Sequence, residues 1–166
     1  IPAAEHRPSR SERRVFRRGQ RLFRTEIGAV EADQRRSSLY NRHKQLRGLS
    51  HEGGPITLAG YSAVLADTCC ESFELRYLLQ DELVGVAIVD RGEHALSAVY
   101  CYYDPRHGAL SPGTYSILYQ LELCRRWGLD YLYLGLTIDD CKAMSYKRRY
   151  LPHERLIDGR WQRFER

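Results

Sequence analysis

At 166 residues the chain has the length of one domain, and with 43% hydrophobic and 28% charged residues its composition excludes collagen, coiled coil and a disordered tail. No run approaches the ~20 apolar residues that cross a bilayer. Residues 1–12 are polar and charged and hold no apolar leader core, so a cytoplasmic protein is expected, with no membrane partner.

The five cysteines (Cys69, Cys70, Cys101, Cys124 and Cys141) are odd in number and contain no C-x-x-C pair. Neither a disulfide framework nor a zinc site fits that spacing, so reduced thiols and no metal are expected. The formal charge is +5, but residues 1–50 carry 13 Lys and Arg against 5 Asp and Glu, a net of +8, and the remainder nets −3. Such asymmetry points to an anionic partner on the N-terminal part, with nucleic acid the first candidate and a solvated basic helix the alternative.

In chain order, Ser9 or Ser11 can cap a helix with apolar positions Val15, Phe16, Leu22 and Phe23. Its other face carries Arg10, Arg13, Arg14, Arg17, Arg18, Arg21 and Arg24, and Gly19 weakens its middle. A second helix starts near Asp33 and runs to about Leu46, burying Leu39, Tyr40, His43 and Leu46. Residues 50–55 break the pattern; 1–50 read as a basic helical segment of the same domain and 51–166 as its core. Three short runs at 73–79, 83–90 and 95–103, rich in Val, Leu and Tyr, are parted by turns at 80–82 and 91–93, an antiparallel meander. A loop with Pro105, Gly108, Pro112 and Gly113 leads to a helix from about Thr114 to Trp127, closed by Gly128. Its buried stripe is Tyr115, Leu118, Leu121 and Trp127, with Ile117 and Cys124 alongside. Residues 131–136 form a further strand, and a helix followed by a strand suggests a parallel crossover. Meander, helix, parallel strand is the element order of the GNAT acyltransferase fold, an α+β fold with a mixed, mainly antiparallel sheet flanked by helices.

The loop before that helix lacks the Q/R-x-x-G-x-G/A fingerprint that holds the coenzyme A pyrophosphate in ordinary GNAT enzymes, so coenzyme A is not expected and no cofactor is assigned. Instead the chain reads Tyr102-Tyr103-Asp104-Pro105, then Pro112-Gly113-Thr114-Tyr115-Ser116-Ile117-Leu118, then Tyr131-Leu132-Tyr133-Leu134-Gly135, then Cys141-Lys142-Ala143-Met144-Ser145-Tyr146-Lys147. With the early Pro8-Ser9-Arg10-Ser11-Glu12-Arg13-Arg14-Val15, these runs resemble, in order, the arginyl-tRNA–protein transferases and their bacterial leucyl-transferring relatives. The family pattern also has a C-x-x-C pair upstream of the Pro-Ser-Arg-Ser element, for metal or cluster binding and acceptor engagement. The 166 residues hold no such pair.

The resemblance implies transfer of Arg or Leu from charged tRNA to the N-terminal amine of an acceptor protein, a degradation-signal type of tagging. The ester is already activated, so the protein must align ester and amine, take a proton and support an oxyanion. Asp104 is the expected proton acceptor or amine holder, its alternative being a turn-starting Asp before Pro105. His107 is the one histidine placed to be tested as a second proton acceptor, a plain loop histidine being the stronger alternative, and Tyr103 completes the expected catalytic set. Tyr102 and Tyr103 point to opposite faces, so one is core and the other lines the cleft, where it can stack on the terminal adenine. Ser111, Gly113, Thr114, Tyr115 and Ser116 form a helix entry suited to an acceptor-end phosphate, or simply a cap. Tyr133, Gly135, Tyr146 and Lys147 are expected at the substrate, and Arg10, Arg13, Arg14 and Arg17 on the tRNA backbone. Transfer to a small molecule or peptide, and a non-catalytic RNA-binding relative, stay open as alternatives.

Overall fold

The computed structural model describes residues 1–49 and 54–165, and its first helix is set by Ser9. The Ser9 hydroxyl accepts from the Glu12 backbone N–H while the Glu12 carboxylate accepts from the Ser9 N–H, a reciprocal cap for α1 (Arg10–Leu22). Phe23 then turns extended, and Arg24, expected on the helix, opens a strand that the sequence reading lacked, β1 (Arg24–Gly28). Its charged residues mask any alternation, and they suit a strand at a sheet edge.

Asp33 caps α2 (Gln34–Leu46) by accepting from the Arg36 N–H. Leu39, Tyr40 and His43 are buried as expected, but Leu46 is 56% exposed. The last turn of α2 runs off the buried face, where Gln45 and Arg47 are also open. The break expected at 50–55 falls mainly outside the described residues. A short helix, α3 (Leu58–Tyr61), then widens into one π turn over Ser62–Ala66.

The meander follows as β2 (Glu71–Leu79), β3 (Glu82–Arg91) and β4 (Ala95–Tyr103). Gln80 and Asp81, at φ 50° and 66°, make the two-residue turn that twisted strands prefer. A 3₁₀ turn over Pro105–Leu110 leads into α4 (Pro112–Trp127), which ends at Gly128 with φ 69°. The returning strand β5 (Tyr131–Tyr133) is half the expected length. Sheet order is β1-β2-β3-β4-β5, antiparallel except for the parallel β4–β5 pair. A second 3₁₀ segment, Lys142–Arg149, precedes a separate hairpin of β6 (His153–Ile157) and β7 (Arg160–Phe164). Asp158 and Gly159 turn it with positive φ. That Asp-Gly pair between strand-like runs is a strong hairpin signal, and the sequence reading passed over it.

The sheet separates two apolar cores. On one face Leu75, Tyr77, Val84, Ala87 and Leu96 pack against Tyr115, Leu118 and Leu121 of α4 and against Phe23. On the other, Val86, Ile88 and Tyr102 meet Leu39, Tyr40, Tyr61 and Leu65. A buried ion pair ties α2 to the sheet: Arg36 Nε donates to both oxygens of Glu74 on β2, at 3.1 and 3.0 Å. Removing one member of such a pair costs ~3–5 kcal/mol, because the other is left charged and buried.

Gly19 has a packing reason. A Cβ there would run into the Tyr115 ring, so the glycine lets α1 lie directly on α4. Helix propensity alone favours Ala by ~1 kcal/mol, whereas overfilling a packed contact costs ~1–3 kcal/mol. Gly19→Ala is therefore expected to lower the urea midpoint; a raised midpoint would show that the α1–α4 contact is loose.

Candidate active site

β4 and β5 pair only through Ala95, Leu96 and Ser97 with Tyr131, Leu132 and Tyr133. Beyond that the strands part. β4 continues to Tyr103, while the other chain leaves the sheet and bends at Gly135, φ 73°. Val89 pairs with Ala98 and Ile88 with Tyr100, so Val99 is an extra residue in β4, a bulge at the head of the opening.

The far end of β4 is fixed from α2. Arg42 Nη1 donates to Asp104 Oδ2 at 2.8 Å, His43 Nδ1 lies 2.8 Å from the Tyr103 carbonyl oxygen, and Arg47 Nη1 lies 3.4 Å from the Tyr103 hydroxyl. The His43 ring stands edge-on to Tyr103, centroids 4.9 Å apart. Asp104 is 1% exposed. It caps the 3₁₀ turn by accepting from the Arg106 N–H at 3.0 Å and takes the Arg106 guanidinium at 3.1, 3.0 and 2.6 Å. Hydrogen bonds from Arg106, then from Arg42, hold this carboxyl well below the usual carboxylate range against the opposing effect of burial. A carboxylate so placed is a weak base with no free face. Asp104, the expected proton acceptor, is thus held at this corner by two guanidiniums and a backbone N–H.

Other expected substrate contacts also lie in the interior. Tyr102 is buried with its hydroxyl 2.6 Å from that of Tyr61, and burial drives its pKa up. Tyr115 is buried, 3.0 Å from the Thr25 hydroxyl, and Ser116 is buried, accepting from Gln120 Nε2 at 3.0 Å. Tyr115 and Ser116 are buried because the helix entry turns that face onto the sheet, and Tyr102 because its side of β4 packs against Tyr40 and Tyr61. Tyr103, Ser111, Gly113 and Thr114 are partly open around the entrance. Burial of the Tyr150 phenol raises its pKa to about 12, and Thr114 hydrogen-bonds to it.

Across the opening, Tyr146 and Lys147 sit on the Lys142–Arg149 segment. Burial raises the Tyr146 pKa, with the Arg47 guanidinium opposing it. Lys147 Nζ donates to the Leu136 carbonyl at 2.5 Å, and burial lowers its pKa. His107 is half-buried in the 3₁₀ turn beside Asp104. Arg42, His43 and Arg47 escaped the sequence reading: nothing in α2 names a target that lies some 60 residues on. All five cysteines are free, with the Cys101 and Cys124 thiols pushed up to about 11 by burial. Among the described residues no group of three His, Cys, Asp or Glu could hold a metal ion.

The start of α4 does not match a coenzyme A pyrophosphate cradle. Ser111 is left-handed, Pro112 has no N–H to give, and the Tyr103 ring lies 3.5 Å from where a Gly113 Cβ would be. On α1, Arg10, Arg13, Arg14, Arg17 and Arg21 are exposed, and among the described residues none of them pairs with a carboxylate.

The family model described as arginine-tRNA-protein transferase, C terminus, matches residues 35–157. The chain belongs to this family. Among its relatives, the aspartate/glutamate leucyltransferase of Pseudoalteromonas atlantica is 33% identical over 165 residues, covering 98% of this chain and 69% of that protein. Its namesake from Aeromonas hydrophila is 37% identical over 161 residues, covering 95% and 66%. The chain thus spans about two thirds of the length of these relatives. Among solved structures, the ribosomal-protein-S18-alanine N-acetyltransferase of Escherichia coli superposes with TM-score 0.54 at 10% identity, over 80% of this chain and 79% of that one. PaiA N-acetyltransferase of Thermoplasma acidophilum, in complex with coenzyme A, gives 0.56 at 11%, over 83% and 95%. The fold is that of the GNAT acetyltransferases, as the element order implied.

His43 supplies a pH prediction. Burial lowers its pKa below 6.5, so the unfolded chain binds the proton more readily than the folded one. The stabilisation is full above pH 6.5 and is lost as pH falls through the lower folded value. His43→Gln should flatten the fall in unfolding free energy between pH 6.5 and 5; an identical slope would mean that His43 is not held neutral.

Proposed function

We propose that this domain carries the transfer of an aminoacyl group, leucyl by preference, from charged tRNA to the α-amine of an acceptor protein that begins with Asp or Glu. The place where β4 and β5 part carries the reading: it is a gap in a GNAT sheet, with Tyr103, Gly113 and Thr114 partly open at the end of β4 and the start of α4, where Pro112 has no backbone N–H to offer a coenzyme. The names of the relatives support leucyl as donor and an acidic acceptor.

In the reaction the acceptor amine attacks the ester carbonyl, an amide bond forms, and the ester C–O bond breaks to release the terminal ribose hydroxyl of the tRNA. The proton lost by the amine returns to that oxygen. Tyr103 and Tyr146 offer aromatic faces to the terminal adenine, and Arg47 faces the phosphate beside it. His107, next to the Asp104 corner, and Lys147, whose charged form burial disfavours, are the groups to carry the proton. Asp104 positions Tyr103 and the helix entry. Arg10, Arg13, Arg14 and Arg17 track the tRNA backbone as an unpaired basic face. The site of action is the cytoplasm, where charged tRNA and newly exposed protein N-termini meet; no described helix is long and apolar enough to cross a membrane.

The test is incubation with tRNA charged with labelled Leu or Arg and peptides starting with Asp, Glu or Ala. Label from leucyl-tRNA in the acidic peptides is expected. The triple change of Arg13, Arg14 and Arg17 to Gln should lower the salt slope of tRNA binding by roughly one unit per lost phosphate contact. Salt-dependent tRNA binding with no label in any peptide would return the chain to a non-catalytic RNA-binding role.

A further inference from the structure

Beside the opening lies a cavity of about 700 Å³ between the chain leaving β5, the Lys142–Arg149 segment and the β6–β7 hairpin. Its border toward β4 is the 134–137 stretch, the same residues that leave the sheet where β4 and β5 part. Tyr146 and Lys147 are successive residues serving two sides: Tyr146 lies toward Cys101 and Arg47, and Lys147 lines the cavity. The cavity thus adjoins the place where β4 and β5 part.

The cavity walls have a consistent chemistry. Lys147, Arg148, Arg155 and Arg163 line it against the single carboxylate of Glu154. Arg163 is already matched by Glu5, Glu154 and Glu165. Arg148 and Arg155 come from different elements, yet both donate to the same oxygen, Asp139 Oδ1, Arg155 at 2.7 Å. Asp139 is not itself among the residues that line the cavity, but its carboxylate shows that these two guanidiniums can converge on one acid. The remaining wall is apolar and open: Trp161 is 57% and Leu136 72% exposed, and the Trp161 ring lies 6.2 Å from that of Tyr133. An open apolar wall beside a paired guanidinium suits a short peptide whose first side chain is acidic.

We infer that this cavity is the acceptor subsite, in which Arg148 and Arg155 receive the side-chain carboxylate of an N-terminal Asp or Glu in place of Asp139, with the peptide lying along Tyr133 and Trp161. This rests on the transferase reading for the acceptor's chemistry, but binding is measurable without tRNA. Asp139 acts as an internal competitor. It holds the arginines together while the subsite is empty and gives them up to the acceptor.

The experiment titrates the 166-residue protein with hexapeptides that begin with Asp or Asn and are otherwise identical, followed at the Trp161 indole N–H by NMR. Saturable shifts at Trp161 are expected, with the Asp peptide bound more tightly than the Asn peptide. Arg148→Gln and Arg155→Gln should each weaken the Asp peptide about fivefold, the scale of one half-exposed ion pair, and leave the Asn peptide unchanged. Asp139→Asn should tighten the Asp peptide, whereas a purely structural Asp139 would give weaker or equal binding. Equal affinity for the two peptides, or no shift at Trp161 with either, overturns the assignment. Transfer failing while the Asp peptide still binds at Trp161 would count against the transferase reading alone.

Discussion

The Asp104 carboxylate is the point on which the site is hung. It accepts from Arg42 of α2 on one side and from the side chain and backbone of Arg106 on the other, at the corner where β4 ends and the chain turns toward α4. Those bonds stop the strand, start the 3₁₀ turn and set the distance to the α4 entry. Tyr103, one residue earlier, is then held between His43 and Gly113. The acid is ionised because its partners are two guanidiniums, and the same partners deprive it of basicity. Architecture and proton transfer compete for one carboxylate here, and its hydrogen bonds go to Arg42 and to the side chain and backbone of Arg106.

Charge elsewhere divides in a similar way. Arg36 is buried and saturated by Glu74, with Asp33 and Glu31 added around it, so it fastens α2 to the sheet. Among the described residues Arg10, Arg13, Arg14, Arg17 and Arg21 of α1 have no carboxylate partner and are exposed, which leaves a basic stripe for an anionic surface. Gly19 connects the two themes, since only a bare Cα allows that stripe's helix to lie against α4. The basic face and the α4 entry are therefore parts of one rigid unit, joined also by Arg18 donating to the Ala109 carbonyl at 2.7 Å.

Much of this was legible in the sequence, because the meander, the α4 stripe and the Gly128 stop are encoded within a few residues of where they act. Ser9, Asp33 and Gly128 announce helix ends by local chemistry. What escaped was non-local. β1 is visible only as a partner of β2, because its own residues are charged and short. β5 stops after three residues because its chain leaves the sheet and bends at Gly135, while β4 runs on to Tyr103. The Asp-Gly turn at 158–159 was local and legible, yet the reading stopped before it. Of the residues expected at the site, Tyr103, Gly113 and Thr114 are partly open at the end of β4 and the start of α4 and Lys147 lines the neighbouring cavity, while Tyr102, Tyr115 and Ser116 are buried. The difference is which way each side chain faces, which pairing settles and motif order does not. Arg42, His43 and Arg47 were invisible because the residues they hold are some 60 positions away.

The most direct measurement is a paired one on Asp104→Asn: the unfolding temperature, and the rate and pH profile of leucyl transfer from charged tRNA. An anchoring Asp104 predicts a lowered unfolding temperature, because Asn cannot hold two guanidiniums, and a reduced rate whose pH profile keeps its shape. An unchanged unfolding temperature together with a 10²–10⁴-fold slower transfer and a lost acid limb, the behaviour of a missing general base, would contradict the account.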